Sequence, residues 1–348
     1  MKKLFITGIL ISTLLLAACS KTNTDTNPVS EGTVTEDTVD KTVTEDTGTK
    51  GTSTGDATTD TTATPSGEEF TIGILPAESA IPIILAKENG YFDEAGISVK
   101  IQSFSSPNDR NVAVQAKELD AAIADVMTEA SFMQNGIEMM ITSDISEDFK
   151  ILSSPDSGIT EMSGLAGKKV SLVRNFILEY IMDQFAAQNG FTYEIVEIPS
   201  FSGRSEALMS NQIDGVVYTE PQAGMLVEQG AHLLGSSKEA GIKGGTILFT
   251  KEMLQNKPND IAAFYKAYNK AIDYMNATEA SEYSSILTEY QFPEAITAYL
   301  SGIKGDFQYA DQISKDQFDN IIAWTLEKGQ ITKTFTYEEL TDFSFINK

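Results

Sequence analysis

Cysteine and histidine are almost absent from this sequence. The 348 residues include one of each, Cys19 and His232. A lone cysteine cannot form an intramolecular disulfide bond, and one cysteine with one histidine is too few for the usual four-ligand zinc site. We therefore expect no disulfide framework, no metal site and no bound cofactor.

Basic residues are also scarce. Lysine and arginine number 25 against 50 aspartates and glutamates, which gives a formal net charge of −25. Nucleic-acid binding depends on clustered cationic side chains that neutralise phosphates, so the charge excludes that class of function. Only three residues are arginine, namely Arg110, Arg174 and Arg204.

The first 18 residues are typical of an export signal. Lys2 and Lys3 precede a short apolar run that ends in Ala17 and Ala18, directly before Cys19. The run is too short for a membrane-spanning helix. This arrangement resembles the bacterial lipoprotein signal, in which the cysteine becomes the acylated N-terminus. We expect removal of residues 1–18 and lipidation of Cys19; the alternative is a plain secretory signal followed by a free thiol.

Residues 19–67 have the composition of a disordered tether. Threonine accounts for 17 of residues 21–67, no aromatic residue occurs there, and the unit Val-Thr-Glu-Asp-Thr is found twice, at 34–38 and 43–47. Such a segment cannot bury enough apolar surface to offset its ordering entropy. A flexible chain of this length spans roughly 35–45 Å, which would hold a folded body near a membrane.

From residue 68 onward, short runs rich in isoleucine, valine and leucine alternate with helical stretches, and the pattern starts again at Lys169. Alternation of this kind is typical of βαβ units with a mostly parallel sheet. We predict an α/β protein with two lobes, each a mostly parallel sheet flanked by helices, joined by a hinge that the chain crosses twice. The first lobe would comprise residues 68–154 and 246–348, and the second residues 155–245.

The two predicted lobes repeat one pattern. Arg110 stands ten residues before Asp120, and Arg204 stands ten residues before Asp214. In the same register Asp125 is equivalent to Thr219, and both follow a predicted strand. Ligands of open α/β sheets bind outside the carboxyl ends of the strands. Two such edges that face each other would form a cleft.

Four segments carry a resemblance to a known family: Ile-Gly-Ile-Leu-Pro at 72–76, the run Leu-Ala-Lys-Glu-Asn-Gly-Tyr-Phe-Asp-Glu-Ala-Gly-Ile at 85–97, Leu-Ala-Gly-Lys-Lys-Val at 165–170 and Thr-Glu-Pro at 219–221. Their order and spacing resemble the substrate-binding proteins of ABC importers for nitrate, sulfonates, taurine and thiamine pyrimidine precursors. The resemblance covers about residues 69–260. It implies a type II fold, similar to periplasmic binding proteins, that closes on a small solute.

The resemblance also implies partners and a location. An ABC permease with its ATPase would receive the solute from the protein. The protein would be a monomer on the extracytoplasmic face of the cell membrane and would touch the membrane only through its lipid anchor. The solute would be pyrimidine-like or would carry a sulfonate or carboxylate group.

We predict that loops after the strands of both lobes line the ligand site. Arg174 would bind an anionic group, aromatic rings would contact a flat organic solute, and carboxylates would accept from ring amines. The predicted ligand-binding residues are Pro76, Ala77, Glu78, Phe104, Ser105, Ser106 and Asp125 in the first lobe and Arg174, Asn175, Phe176, Phe201, Tyr218 and Glu220 in the second.

The other two arginines have two interpretations. Arg110 and Arg204 either contact the ligand or form salt bridges within their own lobes, for example with Asp120 or Asp214. We expect Trp324 to be a core residue, because it lies at helical spacing from other apolar side chains. We expect a structural role for His232, which falls in a late strand.

Two other classes of function stay open. A surface sensor or adhesin would suit the anchor and the tether equally well. An enzyme on the same fold is also possible, since enzymes that form pyrimidines resemble this family. Those enzymes work inside the cell, whereas this chain carries an export signal, so we expect that the protein is not an enzyme.

Overall fold

The computed structural model describes residues 64–346, which fall within one compact unit, Asp60–Lys348. The predicted signal peptide, Cys19 and the tether up to residue 63 lie outside the described residues. Within the described part of the chain, no helix combines the length and the apolar character needed to span a membrane.

The first segment of the chain builds most of one sheet. Its elements are β1 (Glu69–Ile74), α1 (Ile81–Glu88), α2 (Tyr91–Glu94), β2 (Ser98–Ser103), α3 (Pro107–Gln115), β3 (Ala121–Asp125), α4 (Val126–Gln134) and β4 (Met139–Asp144). A 3₁₀ turn at Glu78–Ala80 precedes α1.

The second segment builds the other sheet. Its elements are β5 (Lys150–Ser153), β6 (Lys169–Ser171), α5 (Ile177–Asn189), β7 (Glu194–Val196), α6 (Phe201–Met209), β8 (Gly215–Tyr218), α7 (Gln222–Glu228) and β9 (His232–Ser236).

The third segment returns to the first sheet and ends in helices. Its elements are β10 (Gly245–Thr250), α8 (Lys251–Asn256), α9 (Pro258–Ala277), α10 (Ile296–Gly302), α11 (Lys315–Glu327) and α12 (Tyr337–Leu340). The helices α1, α2 and α9 pack on the first sheet in a core that includes the rings of Phe70, Phe92, Phe249 and Phe264.

Each sheet has four strands in one direction and one strand against them. The strand orders are β2-β1-β3-β10-β4 and β7-β6-β8-β5-β9. β10 is antiparallel to β3 and β4, and β5 is antiparallel to β8 and β9. β5 and β10 are the strands by which the chain enters a sheet from the other lobe. The predicted fold class, with two mostly parallel sheets and two crossings, is confirmed.

The first crossing comes earlier than expected. Lys150–Ser153 is β5, paired with β8 and β9 in the second sheet. Residues 145–149 therefore connect the lobes, and the predicted start of the second lobe at residue 155 is five residues too late. Residues 237–244 make the return connection. The register with β8 decides the assignment, and an apolar run alone cannot reveal which sheet it joins.

The folded body also begins before residue 68. Ser66, which the sequence placed in the tether, donates its backbone N–H to the carboxylate of Asp260 at 2.6 Å. Asp260 lies in the first turn of α9 and is 1% exposed. A buried carboxylate needs such a partner, and this contact fixes residues 64–67 against the first lobe.

Equivalent caps start the helices that carry the two equivalent arginines. The Ser106 hydroxyl accepts the N–H of Asp109 at 3.2 Å and starts α3, and the Ser200 hydroxyl accepts the N–H of Gly203 at 3.3 Å and starts α6. Serine is a preferred N-cap residue because its side chain satisfies a free N–H group of the first turn. The repeat seen in the sequence is therefore a repeat of structure.

The two equivalent aspartates accept hydrogen bonds from strands of the two sheets. Asp120 accepts the N–H of Thr71 at the start of β1 at 2.8 Å, and Asp214 accepts the N–H of Lys169 at the start of β6 at 2.9 Å. Each carboxylate thus holds a strand of its own lobe. Neither is engaged by the arginine ten residues before it.

Candidate functional site

A small cavity lies between the two lobes, where the carboxyl ends of their parallel strands meet the first crossing. It encloses about 90 Å³. Its walls come from loops after β1, β3, β6 and β8, from α3 and α6, and from the crossing. The lining residues are Leu75, Ala77, Glu78, Ser79, Pro107, Arg110, Ile123, Ala124, Asp125, Ile145, Ser146, Glu147, Phe149, Val173, Phe176, Ile177, Leu178, Phe201, Arg204 and Thr219.

One arginine from each lobe lines this cavity. Arg110 is the fourth residue of α3 and Arg204 the fourth residue of α6, and each is 1% exposed. Arg110 donates from Nε to the side-chain oxygen of Asn111 at 2.7 Å. Arg204 donates from Nη1 to the carbonyl of Val217 at 3.4 Å. Among the described residues no acidic group lies within ion-pair distance of either guanidinium.

Aromatic rings hold Arg204 in place. Its guanidinium carbon lies 4.7 Å from the centre of the Tyr218 ring and 5.1 Å from that of Phe201. The Nε–H has no hydrogen-bond partner within the described chain. Burial lowers the pKa of both guanidinium groups, that of Arg110 to about 10. Both nevertheless stay cationic at neutral pH, because the pKa of a guanidinium is intrinsically very high. Two buried cations therefore face one cavity.

Asp125 is the acidic residue whose charge acts on Arg110. Its carboxylate accepts hydrogen bonds from backbone N–H groups. Its carboxylate accepts the N–H of Thr128 at 2.8 Å, which caps α4, and the N–H of Ile177 at 3.2 Å, which starts α5 in the other lobe. Burial raises the pKa of Asp125, and the charge of Arg110 works in the opposite direction. One carboxylate thus joins the lobes at the cavity wall.

The other two acids of the cavity also have partners. Glu147 accepts the N–H groups of Gly244 at 2.8 Å and Gly245 at 3.1 Å. Glu78 accepts the hydroxyl of Ser146 at 3.3 Å and that of Tyr299. Burial raises the pKa of both carboxyl groups, that of Glu147 to about 7. Their hydrogen bonds stabilise the crossing and its surroundings.

Apart from the hydroxyl groups of Ser79, Ser146 and Thr219, the rest of the cavity wall is apolar. Three rings, Phe149, Phe176 and Phe201, and several aliphatic side chains complete the lining. A few polar groups in an otherwise apolar wall are typical of sites that bind small organic molecules. Two cations beside an apolar wall match a molecule with an anionic group and an apolar part.

Direct hydrogen bonds close the lobes around the cavity. The N–H of Glu78 donates to the carbonyl of Glu220 at 2.9 Å, and the side-chain amide of Gln222 donates to the carbonyl of Pro76 at 2.8 Å. The contact of Asp125 with the N–H of Ile177 is a third link. These three contacts join the two lobes beside the cavity.

Five of the thirteen predicted site residues line the cavity: Ala77, Glu78, Asp125, Phe176 and Phe201. Arg174 and Asn175 line a separate groove, which Phe176 borders as well. The remaining six, namely Pro76, Phe104, Ser105, Ser106, Tyr218 and Glu220, are not part of the cavity wall.

Three of those six have a role in the local structure. Ser106 caps α3. The Tyr218 hydroxyl, on a fully buried ring, donates to the carbonyl of Phe201. The Glu220 carboxylate accepts the N–H of Gly224 at 2.8 Å. A position just after a strand is therefore no guarantee that the side chain points into the cleft.

Sequence reasoning left Arg110 and Arg204 undecided and missed the residues of the first crossing. The equal positions of the two arginines in the repeat were the available signal. The alternative of salt bridges with Asp120 or Asp214 is wrong, because those carboxylates bind strand N–H groups. Ile145, Ser146, Glu147 and Phe149 carry no motif, and they line the cavity only because the chain crosses there.

Comparison with known proteins identifies a matching family and several relatives. Residues 78–280 match the model of a protein family described as NMT1/THI5 like. A putative aliphatic sulfonates-binding protein of Bacillus subtilis is 27% identical over 217 residues, which cover 59% of this chain and 64% of that protein.

A second relative is an enzyme by name. The 4-amino-5-hydroxymethyl-2-methylpyrimidine phosphate synthase THI11 of Saccharomyces cerevisiae is 26% identical over 227 residues, which cover 60% of this chain and 66% of the yeast protein. The matches thus span less than two thirds of either relative's length.

The fold has close counterparts among solved structures. The periplasmic aliphatic sulphonate binding protein SsuA of Escherichia coli superposes with a TM-score of 0.67 at 12% identity, over 81% of this chain and 99% of that one. At this identity the likeness concerns the fold, which is the two-lobed fold of ABC-type substrate-binding proteins.

Proposed function

The chain belongs to the NMT1/THI5-like family, and on that premise we propose that it is an extracytoplasmic lipoprotein that captures a small organic anion between its lobes. The anion carries a sulfonate or carboxylate group and is delivered to an ABC permease and its ATPase. The protein acts as a monomer, tethered by a lipid on Cys19.

One observation carries this proposal: Arg110 and Arg204, one from each lobe, are buried at the same cavity and have no acidic partner among the described residues. An isolated buried charge costs several kcal/mol unless it is paired. A guanidinium matches the oxygens of a sulfonate or carboxylate by paired hydrogen bonds. An anion bound to both arginines would offset this cost.

The position of the two arginines couples binding to closure. In an open form they would separate, because α3 and α6 belong to different lobes. A ligand that contacts both groups binds the closed form better and therefore shifts the population toward it. Closure on the solute is what a carrier needs, since the closed form is the one the permease must recognise.

The apolar wall supports an organic anion over an inorganic one. Phe149, Phe176 and Phe201 and the aliphatic residues of the cavity offer no hydrogen bonds to a small hydrated ion. They favour a hydrocarbon or aromatic part instead. The name of the Bacillus relative is consistent with this choice.

An enzymatic function has less support. The yeast relatives are named as synthases, but the one histidine of this chain lies away from the cavity wall. His232 contacts the carbonyl of Pro155 through Nε2 at 3.1 Å. We therefore retain a transport role, and a surface sensor without a permease is the rival that the anchor suits equally.

The proposal is tested by calorimetric titration with alkanesulfonates and carboxylates and with their uncharged sulfonamide and amide analogues. We expect the anions to bind and the neutral analogues to fail. Arg110→Gln and Arg204→Gln should each weaken binding about thirtyfold or more, because loss of one partner of a buried charged pair costs about 2–5 kcal/mol.

Lys100→Gln is the matched control, because it removes an exposed positive charge from the same lobe as Arg110. It should leave the affinity unchanged. Equal binding of charged and neutral analogues, or affinities within twofold of wild type for both arginine variants, would refute the anion site.

A further inference from the structure

A second space opens beside the cavity, between α3 and α4 of the first lobe and the loops after β6 and β7 of the second. It measures about 740 Å³. Its walls are rich in side-chain amides, namely Asn108, Asn111, Gln115, Asn135, Asn175 and Gln330. We call it the amide groove. Phe176 lines both spaces, so they are neighbours.

One enclosed polar atom of the amide groove has no partner. The side-chain nitrogen of Gln330 is shielded from solvent and makes no hydrogen bond within the described residues. The buried Thr128 hydroxyl, which also lines the groove, interacts instead with the Asp125 carboxylate. Buried polar groups are nearly always satisfied in folded proteins. The nitrogen of Gln330 is therefore placed to bind a molecule that enters the groove.

Three further amides of the groove are exposed to solvent and lack a protein partner in the described part of the chain. The side chains of Asn108, Gln115 and Asn175 have no hydrogen-bond partner among residues 64–346. Asn175 has a φ of 67°, a left-handed conformation that asparagine tolerates better than most residues. Asn108 and Asn175 belong to opposite lobes, so the groove, like the cavity, is completed by closure.

The chemistry of the groove favours uncharged polar groups. An amide both donates and accepts, as does a hydroxyl group, so the two match in either direction. The charged residues of the groove are one cation and one anion, Arg174 and Glu197, which together favour neither sign of ligand charge. The anion-binding groups lie instead in the cavity.

We propose that the amide groove is a second subsite of the same binding protein, which recognises a hydroxyl-rich, uncharged part of the solute whose anionic group lies between Arg110 and Arg204. The solute class is thereby narrowed to hydroxylated organic anions. This inference rests on the proposed function, because it takes the anion cavity as the place of the charged group.

Two N-substituted 2-aminoethanesulfonates form a matched pair of probes. One carries a tris(hydroxymethyl)methyl group and the other a cyclohexyl group on the same amine, so only the hydroxyls distinguish the part that would reach the groove. Calorimetric titration of the full chain, at a pH where both amines are protonated, should show at least tenfold tighter binding of the hydroxylated probe.

Substitutions in the groove should remove this preference. Asn108→Ala with Asn175→Gly deletes two free amides, and glycine keeps the positive φ without strain. We expect the double variant to bind the hydroxylated probe about tenfold more weakly and the cyclohexyl probe within twofold of wild type. Asn256→Ala, an exposed amide on α8, should change neither affinity.

Ethanesulfonate separates the subsite from the cavity. If ethanesulfonate binds wild type but the two larger probes bind equally, or if the double variant keeps the preference, the subsite is refuted and the anion cavity stands. If ethanesulfonate and both probes fail to bind, the anion cavity is refuted and the subsite with it.

Discussion

Gly245 leaves no room for a side chain at the second crossing. Its N–H and that of Gly244 donate to the carboxylate of Glu147. A Cβ atom built on Gly245 would overlap this carboxylate and the side chain of Ile145. The first crossing packs directly against the start of β10 at this point, beside the cavity. Only glycine leaves room for this packing and for the two hydrogen bonds.

Gly245→Ala should therefore destabilise the protein. Overpacking of a tight site costs about 1–3 kcal/mol, and displacement of Glu147 removes two backbone partners. Thermal unfolding followed by circular dichroism should show a lower Tm. Gly302→Ala in α10 is the control, because a Cβ there meets no atom within 4 Å; a Tm for Gly245→Ala equal to that of this control would show that the crossing is loosely packed.

At the residue scale, position after a strand was a useful but incomplete guide. It placed Glu78, Asp125 and Phe176 correctly at the cavity wall, because the carboxyl ends of the strands do meet there. It could not distinguish Phe201, which lines the cavity, from Tyr218, whose ring packs against that of Phe201 and does not line the cavity. That difference depends on the rotation of α6 against β8, for which a local sequence carries no signal.

At the scale of elements, α11 contacts both lobes, although the sequence analysis assigned it to the first lobe alone. Trp324 of α11 is a core residue, as expected, but it packs against α5 of the second lobe, where its Nε1–H donates to Asp183 at 2.9 Å. Lys328 pairs with Asp183 at 2.7 Å. Gln134 of α4 donates to the carbonyl of Gln330 at 3.2 Å. The C-terminal helices thus contact both lobes, a long-range contact that periodicity cannot predict.

Several carboxyl groups are buried within or at the ends of elements. Glu129 in α4 is fully buried, and neither oxygen has a hydrogen-bond partner among the described residues. Burial raises its pKa well above the ordinary value. Burial also raises the pKa of Glu147 at the crossing and of Glu220 beside α7 to about 7. These groups hold their protons more tightly in the folded than in the unfolded protein.

The sign of the pH dependence follows from these raised pKa values. The contribution of these groups to stability is present in full below the ordinary carboxyl pKa and is lost as the pH rises through about 7, because the unfolded chain releases these protons at a lower pH than the folded protein does. We expect the Tm to fall between about pH 5 and pH 8, and Glu129→Gln to reduce this fall. Glu118→Gln, at an exposed position, should leave it unchanged. A wild-type Tm that is constant or rises over this range would contradict the assignment.

At the scale of the whole molecule, the fold could be predicted and the solute could not. The repeated register of Arg110 with Asp120 and of Arg204 with Asp214 indicated two similar lobes, and the family resemblance indicated their arrangement. The cavity exists only because the two lobes meet, through contacts such as that of Gln222 with Pro76. The volume and the charge of the cavity depend on how the two lobes pack together, and no local sequence pattern predicts them.

The central claim is that Arg110 and Arg204 together retain an organic anion between the lobes. Mass spectrometry of the small molecules that co-purify with the protein tests it whatever the identity of the solute. The comparison is between wild type and an Arg110→Gln, Arg204→Gln double variant whose circular dichroism spectrum matches that of wild type. We predict an organic anion with wild type that is absent from the double variant. A neutral or cationic compound bound to wild type, or the same anion recovered in equal amount from the variant, would contradict the account.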